Sequence, residues 1–151
     1  MGLLARKVGQ FPKGIERQRT DMFQIHERLL ADTFDLGKFD LSFVRLHRSS
    51  DVPWFILIPE VNVTEIFELD EGARSQLTAE VDLLSRFVSA ETGVEKVNVA
   101  AIGNLVPQMH IHVIGRNPSD PFWPGVVWGE EMSGKSYDEG QVTDYRRRLE
   151  T

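Results

Sequence analysis

The sequence predicts an α+β domain in which one long amphipathic helix packs on an antiparallel sheet. Three observations predict it. A polar cluster, Arg48-Ser49-Ser50-Asp51, separates two strand-like runs and marks a first hairpin. Leu77, Val81, Leu84 and Val88 then recur at helical spacing behind Asp70, a good N-cap. Two further strand-like runs, Lys96 to Ile102 and Gln108 to Ile114, follow in quick succession as a second hairpin.

The elements are justified in chain order. Residues 1–21 hold no sustained period and are interrupted by Gly2, Gly9, Pro12 and Gly14, so they read as an N-terminal extension. A short, weakly helical run around Glu27 to Thr33 is closed by Gly37. Phe39, Leu41 and Phe43 alternate with Asp40 and Ser42, which makes Phe39 to Leu46 a strand. Trp54 to Ile58 is a continuous apolar run fit for a central strand, ended by Pro59, which cannot donate to a ladder. Thr64 is placed to cap a turn over Glu65 to Leu69, and Gly93 to stop the long helix. The loop Gly103 to Pro107 joins the second hairpin. Beyond it, Asn117 to Trp128 is rich in Pro, Gly and Trp and is expected to wander over a surface. A terminal helix is expected within Tyr137 to Leu149, weakened by Gly140. The domain itself is therefore set at 22–133, with 134–151 as a C-terminal segment of helical character.

Composition narrows the function. The 151 residues, 41% of them hydrophobic, suit one domain that buries a core without staples. Cysteine is absent, which excludes a disulfide framework, a thiolate metal cluster and a cysteine nucleophile, and suits a reducing cytoplasm. No apolar run approaches the roughly 20 residues of a membrane span, and Met1 to Leu4 is too short for a signal peptide, so a soluble cytoplasmic protein with no membrane partner is expected. The net charge of -6 argues against nucleic acid as a partner. An anionic ligand must then be held by a local device. Basic residues gather only at the ends, in Arg6, Lys7, Lys13, Arg17 and Arg19 and in Arg146, Arg147 and Arg148, and read as solvated tails.

The second hairpin carries the chemistry. In a strand, Gln108, His110 and His112 share one face while Met109, Ile111 and Val113 share the other. Two imidazoles and a carboxamide thus line a cleft, backed by three hydrophobes that meet the core. With a symmetric loop, Ile102 faces Gln108, Ala100 faces His110 and Asn98 faces His112. Backbone N–H groups near Gly103 and Asn104 could receive an anion. A neutral imidazole can attack phosphorus and split one hard substitution into two, while a second imidazole near its ordinary pKa of about 6.5 can give a proton to the leaving group. A metal site on His110 and His112 is the alternative; it requires a third ligand from His26, His47 or a carboxylate such as Glu60.

The segment Gln108-Met109-His110-Ile111-His112-Val113-Ile114 resembles the motif of the histidine-triad family, and the resemblance extends over about residues 23–129. Val52 to Pro59 is similar to the return strand of the family's first hairpin, and Trp123-Pro124-Gly125 to a tryptophan-proline element of one branch. The resemblance implies an α+β fold with an antiparallel sheet of about five strands, commonly a homodimer with sheets joined across subunits. It also implies binding of a purine nucleotide and attack on its α-phosphorus. Carried over by position, His110 is the nucleophile, His112 supports the leaving group and phosphate, and Gln108 fills the first motif position. Asn98 and the loop residues Gly103, Asn104 and Val106 stand where phosphate is contacted. Gln108 and Trp54 depart from the histidines usual at their positions. No acidic or amide ribose ligand is evident; Val44, Leu46, His47 and Trp54 occupy that neighbourhood, with His47 or Arg48 as a substitute or a plain surface residue.

The leading expectation is an enzyme that hydrolyses or transfers a nucleoside monophosphate from a dinucleoside polyphosphate, phosphoramidate or related adduct. No cofactor is required for the attack, although magnesium can accompany a polyphosphate substrate. A binding module that kept the pocket and lost catalysis, and the metal-dependent enzyme, are the alternatives.

Overall fold

The computed structural model describes residues 22–150; the expected extension at 1–21 lies outside the described residues. The elements are helix α1 (Glu27–Asp32), strands β1 (Thr33–Lys38), β2 (Ser42–His47) and β3 (Trp54–Pro59), helix α2 (Glu71–Ser89), strands β4 (Lys96–Ala100) and β5 (Ile111–Arg116), and helix α3 (Glu139–Leu149). The five strands form one sheet in the order β1-β2-β3-β5-β4, with every neighbouring pair antiparallel. Among the described residues no helix is long and apolar enough to cross a membrane.

The all-apolar run Trp54 to Ile58 becomes the middle strand, buried along its whole length, because both faces of the sheet are covered. On one face Leu77, Leu84 and Val88 of α2 and Val142 of α3 pack with Leu46, Phe55, Leu57 and Val113. On the other, Trp54, Ile56, Ile58 and Ile114 are covered by Leu29 of α1, Val106 and Val127. Asp70 caps α2 by accepting the Ala73 N–H at 2.8 Å. Gly115 of β5 lies against Val88 of α2 and Val94 beyond it: a Cβ there would stand 2.6 Å from Val94 Cγ2 and 3.2 Å from Val88 Cγ1. Both neighbours are β-branched and cannot swing aside, so Gly115→Ala is expected to destabilise the protein by about 1–3 kcal/mol. The midpoint of urea unfolding checks this.

Several expected boundaries are corrected. The strand placed at Phe39 to Leu46 is β2, which begins only at Ser42, because residues 39–41 form the turn in which the Phe39 N–H donates to the Ser42 carbonyl (2.8 Å); an unexpected strand, β1, precedes it. β1 escaped notice because a bulge between Asp35 and Gly37 breaks its alternation, with Gly37 at φ 111°. In the second hairpin β4 stops at Ala100 and β5 starts only at Ile111, so residues 101–110 form a longer connection than the expected loop. The register shifts with it: Ala100 pairs with His112 and Asn98 with Ile114. The turn at Ile66–Glu68 is capped not by Thr64 but by the Glu68 carboxylate, which accepts the N–H groups of Thr64 and Glu65.

The C-terminal segment is no loose tail. α3 starts with a capping box between Asp138 and Gln141, and Gly140 falls in its first turn, away from the helix interior where glycine costs most. Arg146 donates to the Asp35 carbonyl of β1 at 2.8 Å, and Arg148 pairs with Glu91.

The segment 117–128 is likewise anchored. Arg116, buried at the end of β5, donates from Nε to Asp120 Oδ2 (2.7 Å), from Nη2 to Asp120 Oδ1 (3.0 Å) and from Nη1 to Asn98 Oδ1 (3.0 Å). Asp120 in turn accepts the N–H groups of Asn117 and Phe122. This bidentate pair stands in for regular structure and delivers Trp128 to the sheet face opposite α2.

Candidate active site

His110 lies in the connection just before β5, and His112 is the second residue of β5. Their rings meet edge to face with centroids 4.9 Å apart, and both are almost fully buried. Met109, Ile111 and Val113 fill the helix-side core, so the expected division into a reactive and an apolar side is observed. The expected row on one strand is not, because Gln108 and His110 precede the strand.

The hydrogen bonds fix the state of each imidazole. His110 Nδ1 is 2.7 Å from the Gln108 carbonyl oxygen. A carbonyl can only accept, so Nδ1 carries a proton, and in the neutral imidazole the lone pair is on Nε2. His112 has the reverse arrangement: the Trp54 indole N–H donates to its Nδ1 at 2.9 Å, so its proton sits on Nε2. Burial, reinforced by the neighbouring His110 and His47, pulls the His112 pKa down to about 3. His112 is therefore a neutral donor at neutral pH. The expectation that a second imidazole near its ordinary pKa supplies a proton is corrected by the water-poor setting between Trp54 and Trp128, whose rings lie 5.7 and 5.2 Å from it.

Trp54 thus holds the His112 tautomer. It also stacks on His47, at 4.2 Å between centroids. His47 accepts the Ser49 N–H at its own Nδ1, and burial lowers its pKa although Asp32 and Asp51 act the other way. Trp54→Phe keeps an aromatic side chain and removes the indole donor along with part of the ring system. In that variant His112 is expected to populate both tautomers and to titrate nearer its ordinary value, a change that nitrogen NMR of the imidazole reads directly.

The carboxamide of Gln108 is engaged elsewhere. Its Nε2 donates to the Gln24 carbonyl and its Oε1 accepts the His26 N–H, both at 2.8 Å. Gln108 thus serves His110 through its main-chain carbonyl while its side chain fastens the segment leading into α1.

The two histidines line a cleft of about 400 Å³, with apolar walls from Leu29, Ile56, Trp54, Val106 and Trp128 and a polar rim that includes Arg28, Asp32 and Asn104. That size suits a small-molecule ligand. Of the residues expected at the site, His47, Trp54, Gly103, Asn104, Val106, His110 and His112 line it. Asn98 does not; its Oδ1 accepts from Arg116. Val44 and Leu46 do not either, because they alternate with Arg45 and face the α2 core. Leu29, Asp32, Ile56 and Trp128 are cleft residues that sequence reasoning missed: the first two precede an unrecognised strand, and Trp128 ends a segment with no period. A second, wider cleft of about 650 Å³ shares Ile102, Gly103 and His110 with the first.

Among the described residues no three His, Cys, Asp or Glu side chains are grouped to hold an ion. Of the expected third ligands, His26 uses its Nδ1 to cap α1 and Glu60 pairs with Lys38. His47 and His112 both have Nδ1 occupied as an acceptor.

Residues 28–119 match the HIT domain family. No curated protein matches the chain. Among solved structures it is similar to a histidine triad protein from Marinobacter aquaeolei VT8, at 43% identity and a TM-score of 0.78 over 85% of this chain and 93% of that one. It is also similar to a histidine triad protein from Bradyrhizobium japonicum, at 37% identity and a TM-score of 0.79 over 85% and 96%. A histidine triad protein from Sinorhizobium meliloti 1021 is 36% identical, with a TM-score of 0.79 over 85% and 95%. A domain match over most of the chain, agreeing with similarity at this level along nearly the whole length of each solved protein, places the chain in the histidine-triad family.

Proposed function

We propose that the protein is a nucleotide hydrolase or nucleotidyl transferase acting at the α-phosphorus of a dinucleoside polyphosphate, nucleoside phosphoramidate or related adduct, through a covalent nucleotidyl-His110 intermediate. The observation that carries this reading is the pair of opposite tautomers: a lone pair on His110 Nε2 beside an N–H on His112 Nε2. A nucleophile must be unprotonated and a phosphate oxygen needs a donor, and each histidine is held in the form its task requires.

The base and ribose occupy the smaller cleft between its apolar walls, and the phosphate meets the N–H groups of Gly103 and Asn104 together with His112 Nε2–H. His110 Nε2 attacks phosphorus; the Nε2–P bond forms as the bond to the leaving group breaks, and the electron pair departs on the leaving atom. Water then attacks the adduct. The P–N pair returns to Nε2, the monophosphate keeps one proton of the water and the other goes to solvent. His112, whose pKa burial pulls down to about 3, enters the reaction neutral and offers its Nε2–H to the phosphate oxygen. Magnesium, where a polyphosphate carries it, enters with the substrate. The free edge of β4, where Val99 is exposed, is where a second copy would extend the sheet into a homodimer, a state that sedimentation reads.

The test is intact mass after rapid quench with diadenosine tetraphosphate. An adduct of one nucleoside monophosphate on His110 is expected. Neither adduct nor turnover across a nucleotide panel, with AMP still bound, would replace this reading by the binding module.

A further inference from the structure

Gln108 has a main-chain bond and a side-chain bond pair that serve different parts of the site. Its carbonyl oxygen holds His110 Nδ1 at 2.7 Å. Its carboxamide turns to a distant stretch of chain, where Oε1 accepts the His26 N–H and Nε2 donates to the Gln24 carbonyl, both at 2.8 Å. A main-chain N–H can only donate and a main-chain carbonyl can only accept, so these partners fix which end of the carboxamide is which.

The segment held in this way leads into a wall of the smaller cleft. Arg28, Leu29 and Asp32 of α1 line that cleft, with Thr33 just beyond. Yet α1 has six residues and buries one of them, Leu29. A helix that short does not hold itself together and needs outside contacts. Its far end has them: the Arg48 N–H donates to the Asp32 carbonyl, Arg48 Nε to the Ala31 carbonyl and Thr33 Oγ1 to the Leu29 carbonyl. Its near end, residues 22–28, packs through Phe23 and Ile25. Among the described residues, the hydrogen bonds that join this near end to the rest of the fold both go to Gln108.

We propose that Gln108 is a positioning residue for the ligand: its carboxamide clasps residues 24–26 and so holds the α1 wall against the cleft, while its carbonyl serves the nucleophile. This rests on the reading above that the smaller cleft takes the nucleoside. A wall in place in only a fraction of molecules weakens the apparent affinity by that fraction. The chemistry that follows binding is spared, because the carbonyl that holds His110 survives any change of the side chain. A carboxamide suits the task, since it offers a donor and an acceptor together in one uncharged group.

The experiment measures AMP affinity by calorimetry, and KM and kcat for diadenosine tetraphosphate, on the full chain unaltered and as Gln108→Ala and Gln108→Glu. Both variants are expected to raise the AMP Kd and the KM about tenfold, the worth of two neutral hydrogen bonds, with kcat changed less than about threefold. Gln108→Glu keeps the size and the acceptor but turns a second acceptor to the Gln24 carbonyl, so a loss shared by both variants belongs to the clasp and not to packing. Backbone hydrogen exchange over residues 24–30 is expected to quicken in both. Loss of fold leaves a different mark, because it removes active molecules and lowers the apparent kcat while KM stays. A fall in kcat with KM and AMP Kd unchanged, or no change in any of the three, overturns the clasp. If the unaltered protein binds AMP but forms no adduct, the proposed chemistry fails and the AMP Kd of the variants still decides the clasp. If it binds no AMP, both fail.

Discussion

Turnover is expected to fall by at least about 10³-fold in His110→Ala, with the quenched adduct gone and AMP binding retained within a few fold. The size follows from what is removed. The cleft keeps its apolar walls and the His112 donor, since Trp54, not His110, fixes the His112 tautomer. The ground-state ligand loses little, whereas the two-step path through a P–N bond disappears. The protein should stay folded: His110 contributes one hydrogen bond, to the Gln108 carbonyl, worth about 1 kcal/mol. Steady-state rates, quench mass spectrometry and calorimetric AMP binding on the same preparation check the three parts together. If the unaltered protein has no activity to lose while the AMP affinity survives the substitution, the binding module is the correct description.

Asp120→Ala is expected to have the largest effect on stability, about 3–5 kcal/mol, because it strands the buried Arg116 guanidinium. The side chains are 2% and 3% exposed. Burial pushes the Asp120 carboxyl up, but its bonds to Arg116 and to the N–H groups of Phe122 and Asn117 outweigh this and hold it below the ordinary carboxylate range. A depressed pKa means that the unfolded chain binds the proton more readily, so this stabilisation is complete above the ordinary carboxylate pKa and is lost as pH falls through the folded value. Replacing both partners, Arg116→Met with Asp120→Leu, should cost less than Asp120→Ala alone, since no charge is left unpaired. Urea unfolding of the three variants at neutral and acid pH measures this. Activity should fall as well, because the segment these residues pin carries Trp128 onto His112.

Much of this architecture is readable from residue order, and the parts that are not have identifiable causes. Trp54 to Ile58 and the α2 stripe are legible because burial on one or both faces imposes a period or a run. β1 is illegible because its bulge at Gly37 cancels the alternation that marks a strand. The hairpin register is two residues off because a hairpin rule assumes a tight loop, whereas residues 101–110 leave the sheet to shape two clefts. His110 and His112 could be picked from their spacing, but not their tautomers, which depend on a carbonyl next door and an indole 58 residues away. Asn98 illustrates the opposite error: a polar residue near the site by position is claimed by Arg116, a partner that only the fold reveals.

The indoles of Trp54 and Trp128, with centroids 6.0 Å apart, both lie against His112, while Trp123 sits over Arg116. Indole emission responds to nearby charge, so the molecule carries its own label-free optical gauge of cleft occupancy. An anion arriving at His112 changes the field at two of the three fluorophores and leaves the third as background. Mixing experiments can then time ligand arrival separately from the chemistry that follows.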